Sequence, residues 1–133
     1  MFIAYSVSVD LIRQLRDVVA AIKRYDRDLA DQLQRAASSV ALNLSEGQRL
    51  TAGNQRKHYE AAHGSANEVR AALDLAEAWG WIADAPAARE TLDRLLALLW
   101  RLCRGRHKRH YAESRVMPSQ AAVPSRNGSG GSA

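Results

Sequence analysis

Residues 35–47 read Arg-Ala-Ala-Ser-Ser-Val-Ala-Leu-Asn-Leu-Ser-Glu-Gly, and residues 59–69 read Tyr-Glu-Ala-Ala-His-Gly-Ser-Ala-Asn-Glu-Val. Both stretches are helical in pattern, yet each carries small residues where a simple core helix would carry large ones. Small residues let helix backbones approach closely, and polar side chains inside such a contact need partners or cost about 1–3 kcal/mol each. The polar residues Asn43, Glu46, Ser65 and Glu68 therefore predict a specific pairing of two helices.

Four amphipathic segments run along the chain, because apolar residues recur at three- and four-residue steps. They predict helices over about residues 8–25, 28–46 and 54–79, and a fourth from about residue 86. No segment alternates apolar and polar residues as a strand would. The sequence predicts an all-α fold, an up-down-up-down antiparallel four-helix bundle. The candidate N-caps are Ser8, Asp26 or Asp28, Thr51 or Asn54, and Asp84 or Ala85.

Three glycines have predicted roles in this bundle. Gly47 and Gly80 stand where a left-handed residue would end the second and third helices. Gly64 lies in mid-helix, where glycine costs about 1 kcal/mol relative to alanine. We therefore expect tight packing around Gly64 to compensate for this cost.

The 133 residues suit one domain, with a bundle over residues 1–111 and a Ser-, Pro- and Gly-containing tail over 112–133 that we expect to be disordered or a linker. No apolar run approaches the roughly 18 residues of a membrane span. The N-terminus lacks the basic and apolar regions of a signal peptide. Cys103 is the single cysteine, which fits a reducing compartment. These features predict a cytoplasmic protein without a membrane partner.

The positive charge is concentrated near the C-terminus. Residues 101–115 carry the whole net charge of +5, and the rest of the chain is neutral. If the fourth helix continues, Arg101, Arg104 and Lys108 share one face, and Tyr111 could stack on an unpaired base. The alternative is that these cations complement the helix dipole and favour solubility. The candidate nucleic-acid-binding residues are Arg101, Arg104, Arg106, Lys108 and Arg109.

A second basic group, which includes Arg49, Arg56, Lys57 and His58, begins the third helix. We place the start of the third helix and the end of the fourth at opposite ends of the bundle. The two basic groups are therefore not expected to form one surface within a subunit.

The sequence offers little for catalysis. Glu60-Ala-Ala-His63 has the spacing of a di-iron ligand pair, but such sites need a second copy and further glutamates that this chain lacks. His107 and His110 lie among cations that would repel a metal. We expect Asn43 and its polar neighbours to form a hydrogen-bond network rather than a ligand site. No catalytic residue, metal site or cofactor is predicted.

The chain resembles the small four-helix-bundle proteins of the 23S ribosomal RNA intervening-sequence family. In that family the second helix ends in a pattern like Arg-Ala-Ala-x-Ser-hydrophobic-x-x-Asn-hydrophobic-x-Glu-Gly, found here from Arg35 to Gly47. The third carries an aromatic residue and then Ala-x-Gly-Ser-x-x-Glu, and it closes with a Gly-aromatic-hydrophobic turn. The matching residues here are Tyr59, Ala62, Gly64, Ser65, Glu68, Gly80, Trp81 and Ile82.

This resemblance implies a ring-like homopentamer without enzymatic activity. A related branch contains accessory proteins of diversity-generating retroelements, which bind nucleic acid and a reverse transcriptase. The function expected here is binding of RNA or DNA through the basic C-terminal end. The alternative is a scaffold that recruits a protein such as a reverse transcriptase. The opening segment and the basic run after Leu102 depart from the shared pattern.

Overall fold

The computed structural model describes residues 2–114, with side chains as far as Arg104, and contains four α-helices. Their bounds are α1 Ile3–Lys23, α2 Arg27–Arg49, α3 Ala52–Ala78 and α4 Pro86–Ser114. The predicted all-α four-helix bundle is confirmed. The tail from residue 115 onward lies outside the described residues, so its disorder stays a prediction.

Each helix packs against the next one along the chain, and α1 packs against α4 to close the bundle. The connections at residues 24–26, 50–51 and 79–85 are short, so consecutive helices run antiparallel. The start of α1, the end of α2, the start of α3 and the end of α4 therefore lie at one end of the molecule. Arg89 of α4 pairs with Asp74 and Glu77 of α3 near the opposite end.

The core consists of leucine-rich stripes on all four helices, together with alanines on α2 and α3. Alanines occupy the buried face where these two helices meet, so their backbones can approach closely. Ser8 is also buried, but it is not the predicted N-cap, since it lies inside α1 and its hydroxyl donates to the carbonyl of Tyr5 at 2.6 Å. The largest fully buried side chains include Leu11, Leu15, Leu33, Leu44, Leu73, Leu92, Leu95 and Leu99.

Two predicted helix ends are present. The Asp26 side chain accepts a hydrogen bond from the backbone N–H of Leu29 at 3.0 Å and so caps α2. Gly80 has φ +76° and follows the last turn of α3. The N–H of Gly80 donates to Glu77, and the N–H of Trp81 donates to Ala76, which is the Schellman pattern.

Two glycine expectations were wrong. Gly47 does not end α2, because the helix continues to Arg49 and the backbone at Gly47 is not left-handed. Instead, a Cβ at position 47 would lie 2.8 Å from Cε1 of Tyr59, so glycine allows α3 to approach α2. At Gly64 the expected tight packing is missing, since a Cβ there would meet nothing within 4 Å.

Candidate nucleic-acid interface

The beginning of α3 and the end of α4 lie side by side, contrary to the sequence expectation of opposite ends. Burial raises the pKa of the Cys103 thiol, the Glu60 carboxylate raises it further, and the Arg56 guanidinium lowers it. These influences place the first turns of α3 beside the Cys103 turn of α4. The physical reason is the antiparallel direction of the two helices, which brings the start of one to the end of the other.

This arrangement brings the two basic groups to one end of the bundle. We define the basic end as Arg49, Arg56, Lys57, Arg101 and Arg104. Glu46 lies 3.9 Å from Arg49, and Glu60 lies 2.8 Å from Arg56. Such solvent-exposed pairs are typically worth less than 1 kcal/mol and are screened by salt. Lys57, Arg101 and Arg104 are exposed to solvent. The basic end therefore keeps a net positive charge.

The remaining predicted cations, Arg106, Lys108 and Arg109, follow in the same helix, which runs to Ser114. Their side chains lie outside the described residues, as do those of Tyr111 and the two histidines between residues 107 and 110. The continuous helix does place positions 101, 104 and 108 along one face, as the spacing predicted.

Trp100 provides an aromatic surface at the basic end. The indole is 50% exposed, and Cζ of Arg104 lies over its ring, 4.5 Å from the centroid. This is the geometry of a cation–π interaction between residues one helical turn apart. Beside it, a mostly apolar groove of about 390 Å³ separates α1 from α4 and is lined by Phe2, Ile3, Ala4, Leu98, Arg101 and Leu102.

A hydrogen-bond network joins α2 to α3. The Ser65 hydroxyl donates to Oγ of Ser39 at 2.9 Å, and the Asn43 amide donates to the Ser39 carbonyl at 2.9 Å. Nδ1 of His58 lies 2.9 Å from Oδ1 of Asn43. Because that amide oxygen can only accept, Nδ1 of His58 carries the hydrogen. The network specifies the register of the two helices.

Of the four polar residues singled out in the sequence, the structure brings together Asn43 and Ser65, through Ser39. Glu46 instead lies beside Arg49, and Glu68 is exposed. The sequence reasoning missed Ser39 and His58. A signal for Ser39 existed, because it lies one turn before Asn43 on the same helix. An open groove of about 780 Å³ on α2 is lined in part by Arg35, Leu42, Asn43, Glu46 and His58.

The Glu-x-x-His pair does not form part of a metal site. Glu60 is engaged by Arg56, and the carbonyl of His63 accepts a hydrogen bond from Asn67 at 3.2 Å. Over the described residues, no cluster of three or more His, Cys, Asp or Glu side chains could hold a metal ion. In the same part of the chain, no helix combines the length and the apolar character that crossing a membrane requires.

The opposite end of the bundle carries an aromatic stack. Trp81 stacks on Tyr25 with ring centroids 5.9 Å apart, and on Trp79 at 5.8 Å. Trp81 and Ile82 also pack against the core, whereas Trp79 is 69% exposed. This packed corner accounts for two of the three tryptophans without a ligand.

Comparison with known proteins gives a family and a fold. The sequence profile of the family described as "23S rRNA-intervening sequence protein" matches residues 2–101. A similar solved structure is that of a protein of unknown function from the S23 ribosomal protein family of Bacteroides thetaiotaomicron. It shares 14% identity at a TM-score of 0.68, over 75% of this chain and 97% of that one. No curated protein matches the chain.

Proposed function

The chain belongs to the family of 23S rRNA-intervening sequence proteins, and from this premise we propose that it is a non-enzymatic protein that binds RNA or other nucleic acid through its basic end. One observation carries the proposal: cations of α2, α3 and α4, which are far apart in sequence, lie at the same end of the bundle. A cluster of exposed cations attracts the phosphate backbone, and the attraction depends on salt rather than on base sequence.

The helix dipole does not account for this charge. A helix carries partial negative charge at its C-terminus, so cations at the ends of α2 and α4 are favourable there. Arg56 and Lys57 instead lie in the first turns of α3, where the dipole is positive and disfavours cations. The same position favours an anion, because free backbone N–H groups and cationic side chains both point to negative charge. A bound phosphate offsets the repulsion that these residues otherwise maintain.

The family match ends at residue 101, before Arg104 and the basic run that follows it. The proposed contact therefore depends in part on residues of this chain beyond the matched region. We also propose that the protein acts in the cytoplasm as a homo-oligomer, a pentamer by resemblance. Repetition of the basic end around such an assembly would raise the apparent affinity through multivalency.

Fluorescence anisotropy with a labelled structured RNA tests the proposal. We expect binding that weakens steeply between about 50 and 200 mM salt, in proportion to the number of phosphate contacts. Two double variants, Arg56→Gln with Lys57→Gln and Arg101→Gln with Arg104→Gln, should each lower the salt dependence by up to about two phosphate contacts.

The matched control is the double variant Arg24→Gln with Arg27→Gln, which removes the same charge from the opposite end, where both residues are exposed. We expect it to bind nearly as wild type does. Equal losses in all three double variants would show a nonspecific effect of net charge and contradict the proposal. Absence of binding at low salt would favour the alternative, a scaffold that recruits a protein such as a reverse transcriptase.

A further inference from the structure

We infer that Trp100 and Arg104 form a stacking platform for an unpaired base, so that the basic end takes single-stranded nucleic acid or a single-stranded loop. The inference rests on the proposed function and deepens it by naming the class of nucleic acid. It adds to the electrostatic contact a contact that duplexes cannot make.

The exposure of Trp100 is not explained by the packing of the bundle. The buried face of α4 is supplied by Leu92, Leu95 and Leu99, which are at most 1% exposed. Trp100 points away from this face and leaves half of its surface in solvent. Exposed large aromatic side chains are unusual enough on a soluble protein to mark a binding surface when they lie beside a charged group of matching chemistry.

A comparison with Trp79 sharpens this point. Trp79 is more exposed, at 69%, but its ring stacks on Trp81, which in turn stacks on Tyr25. Trp79 therefore belongs to an aromatic corner. Among the described residues, the ring partner of Trp100 is a cation, Arg104, rather than another apolar group.

The Trp100–Arg104 pair has the chemistry that single-stranded nucleic acids require. Bases stack on aromatic rings and on guanidinium planes, and nearby cations follow the phosphates between them. Here Arg101 precedes the pair by a single turn, and Arg56 and Lys57 lie across the α3–α4 seam. A planar surface and a set of phosphate-binding cations are thus available within one end of the molecule.

A duplex buries its base faces in its own stack, so it can use the cations but not the indole. We therefore expect single strands and duplexes to share the salt dependence of the basic end but to respond differently to changes at Trp100. This difference separates a stacking platform from a purely electrostatic surface.

The test compares a single-stranded RNA of mixed sequence with the same strand annealed to its complement, using the full chain. We expect Trp100→Leu to weaken single-strand binding by about 5- to 100-fold, the range found for loss of one base–aromatic stack. Duplex binding should change less than about 2-fold. Trp100→Tyr keeps an aromatic ring and should restore most of the affinity. Trp79→Leu removes an exposed indole at the other end and should leave both affinities unchanged.

Several results would overturn the inference. Unchanged single-strand binding by Trp100→Leu, or an equal loss for strand and duplex, would show that no base stacks there. Sedimentation of the same variant provides a second readout, because a smaller assembly would identify Trp100 as a subunit contact. If the Arg101 and Arg104 charge variant weakens binding while Trp100→Leu does not, only the stacking inference fails. If neither nucleic acid binds wild type, the proposed function fails with it.

Discussion

Replacing Gly47 with alanine should destabilise the protein, although the same change inside a helix ordinarily stabilises one by about 0.5–1 kcal/mol. The new Cβ would lie 2.8 Å from Cε1 and 3.0 Å from Cδ1 of Tyr59, and 3.1 Å from Cβ of His58. Carbon atoms prefer separations of about 3.5–4.0 Å, so α3 or the Tyr59 ring must shift by several tenths of an ångström.

Neither neighbour can shift freely. Tyr59 is 4% exposed, and its ring centroid lies 6.0 Å from that of Phe2. His58 is held by its hydrogen bond to Asn43. Overpacking a well-filled site costs about 1–3 kcal/mol. After subtraction of the helix-propensity gain, we expect Gly47→Ala to lower the free energy of unfolding by about 1–2 kcal/mol.

Gly64→Ala is the matched control, because it makes the same chemical change inside a helix but with nothing within 4 Å of the new Cβ. It should stabilise by about 0.5–1 kcal/mol. Urea unfolding and thermal melts followed by circular dichroism would measure both variants, with a shift in Tm of about 4 °C per kcal/mol. A Gly47→Ala protein as stable as wild type, or a change of the same sign in both variants, would refute the close-approach explanation.

Three further predictions concern other local features. Gly80→Ala should lower the free energy of unfolding by about 1–2 kcal/mol in urea titrations, because residue 80 has φ +76° and alanine disfavours that conformation. Asn43→Leu should cost about 1–3 kcal/mol in the same assay, since it leaves Nδ1–H of His58 without its acceptor, whereas the exposed Ser45→Ala should be nearly neutral. Burial raises the pKa of the Cys103 thiol, so iodoacetamide should alkylate it more slowly in native than in urea-unfolded protein at pH 8. Because folding raises this pKa, the contribution of the thiol to stability is complete below its unfolded-state pKa and is lost as the pH rises through the folded-state value.

The sequence was sufficient for features whose causes are local. Apolar residues at helical spacing predicted the four helices, and Asp26 and Gly80 marked ends that the structure confirms. Each of these signals acts within a few residues, through a capping side chain or a permitted backbone angle. The same local reasoning was wrong at Gly47 because a C-terminal glycine signal and a close-packing glycine look identical in one dimension.

Features that join separate segments were decided by the tertiary structure. The polar network needs His58 and Ser39 beside Asn43, and sequence reasoning from single helices identified neither partner. The basic end likewise depends on the direction in which α3 and α4 pass each other. Net charge could be counted from the sequence, but a shared surface is a property of distance in space. Antiparallel packing supplied it by placing Arg56 next to the helical turn that carries Arg104.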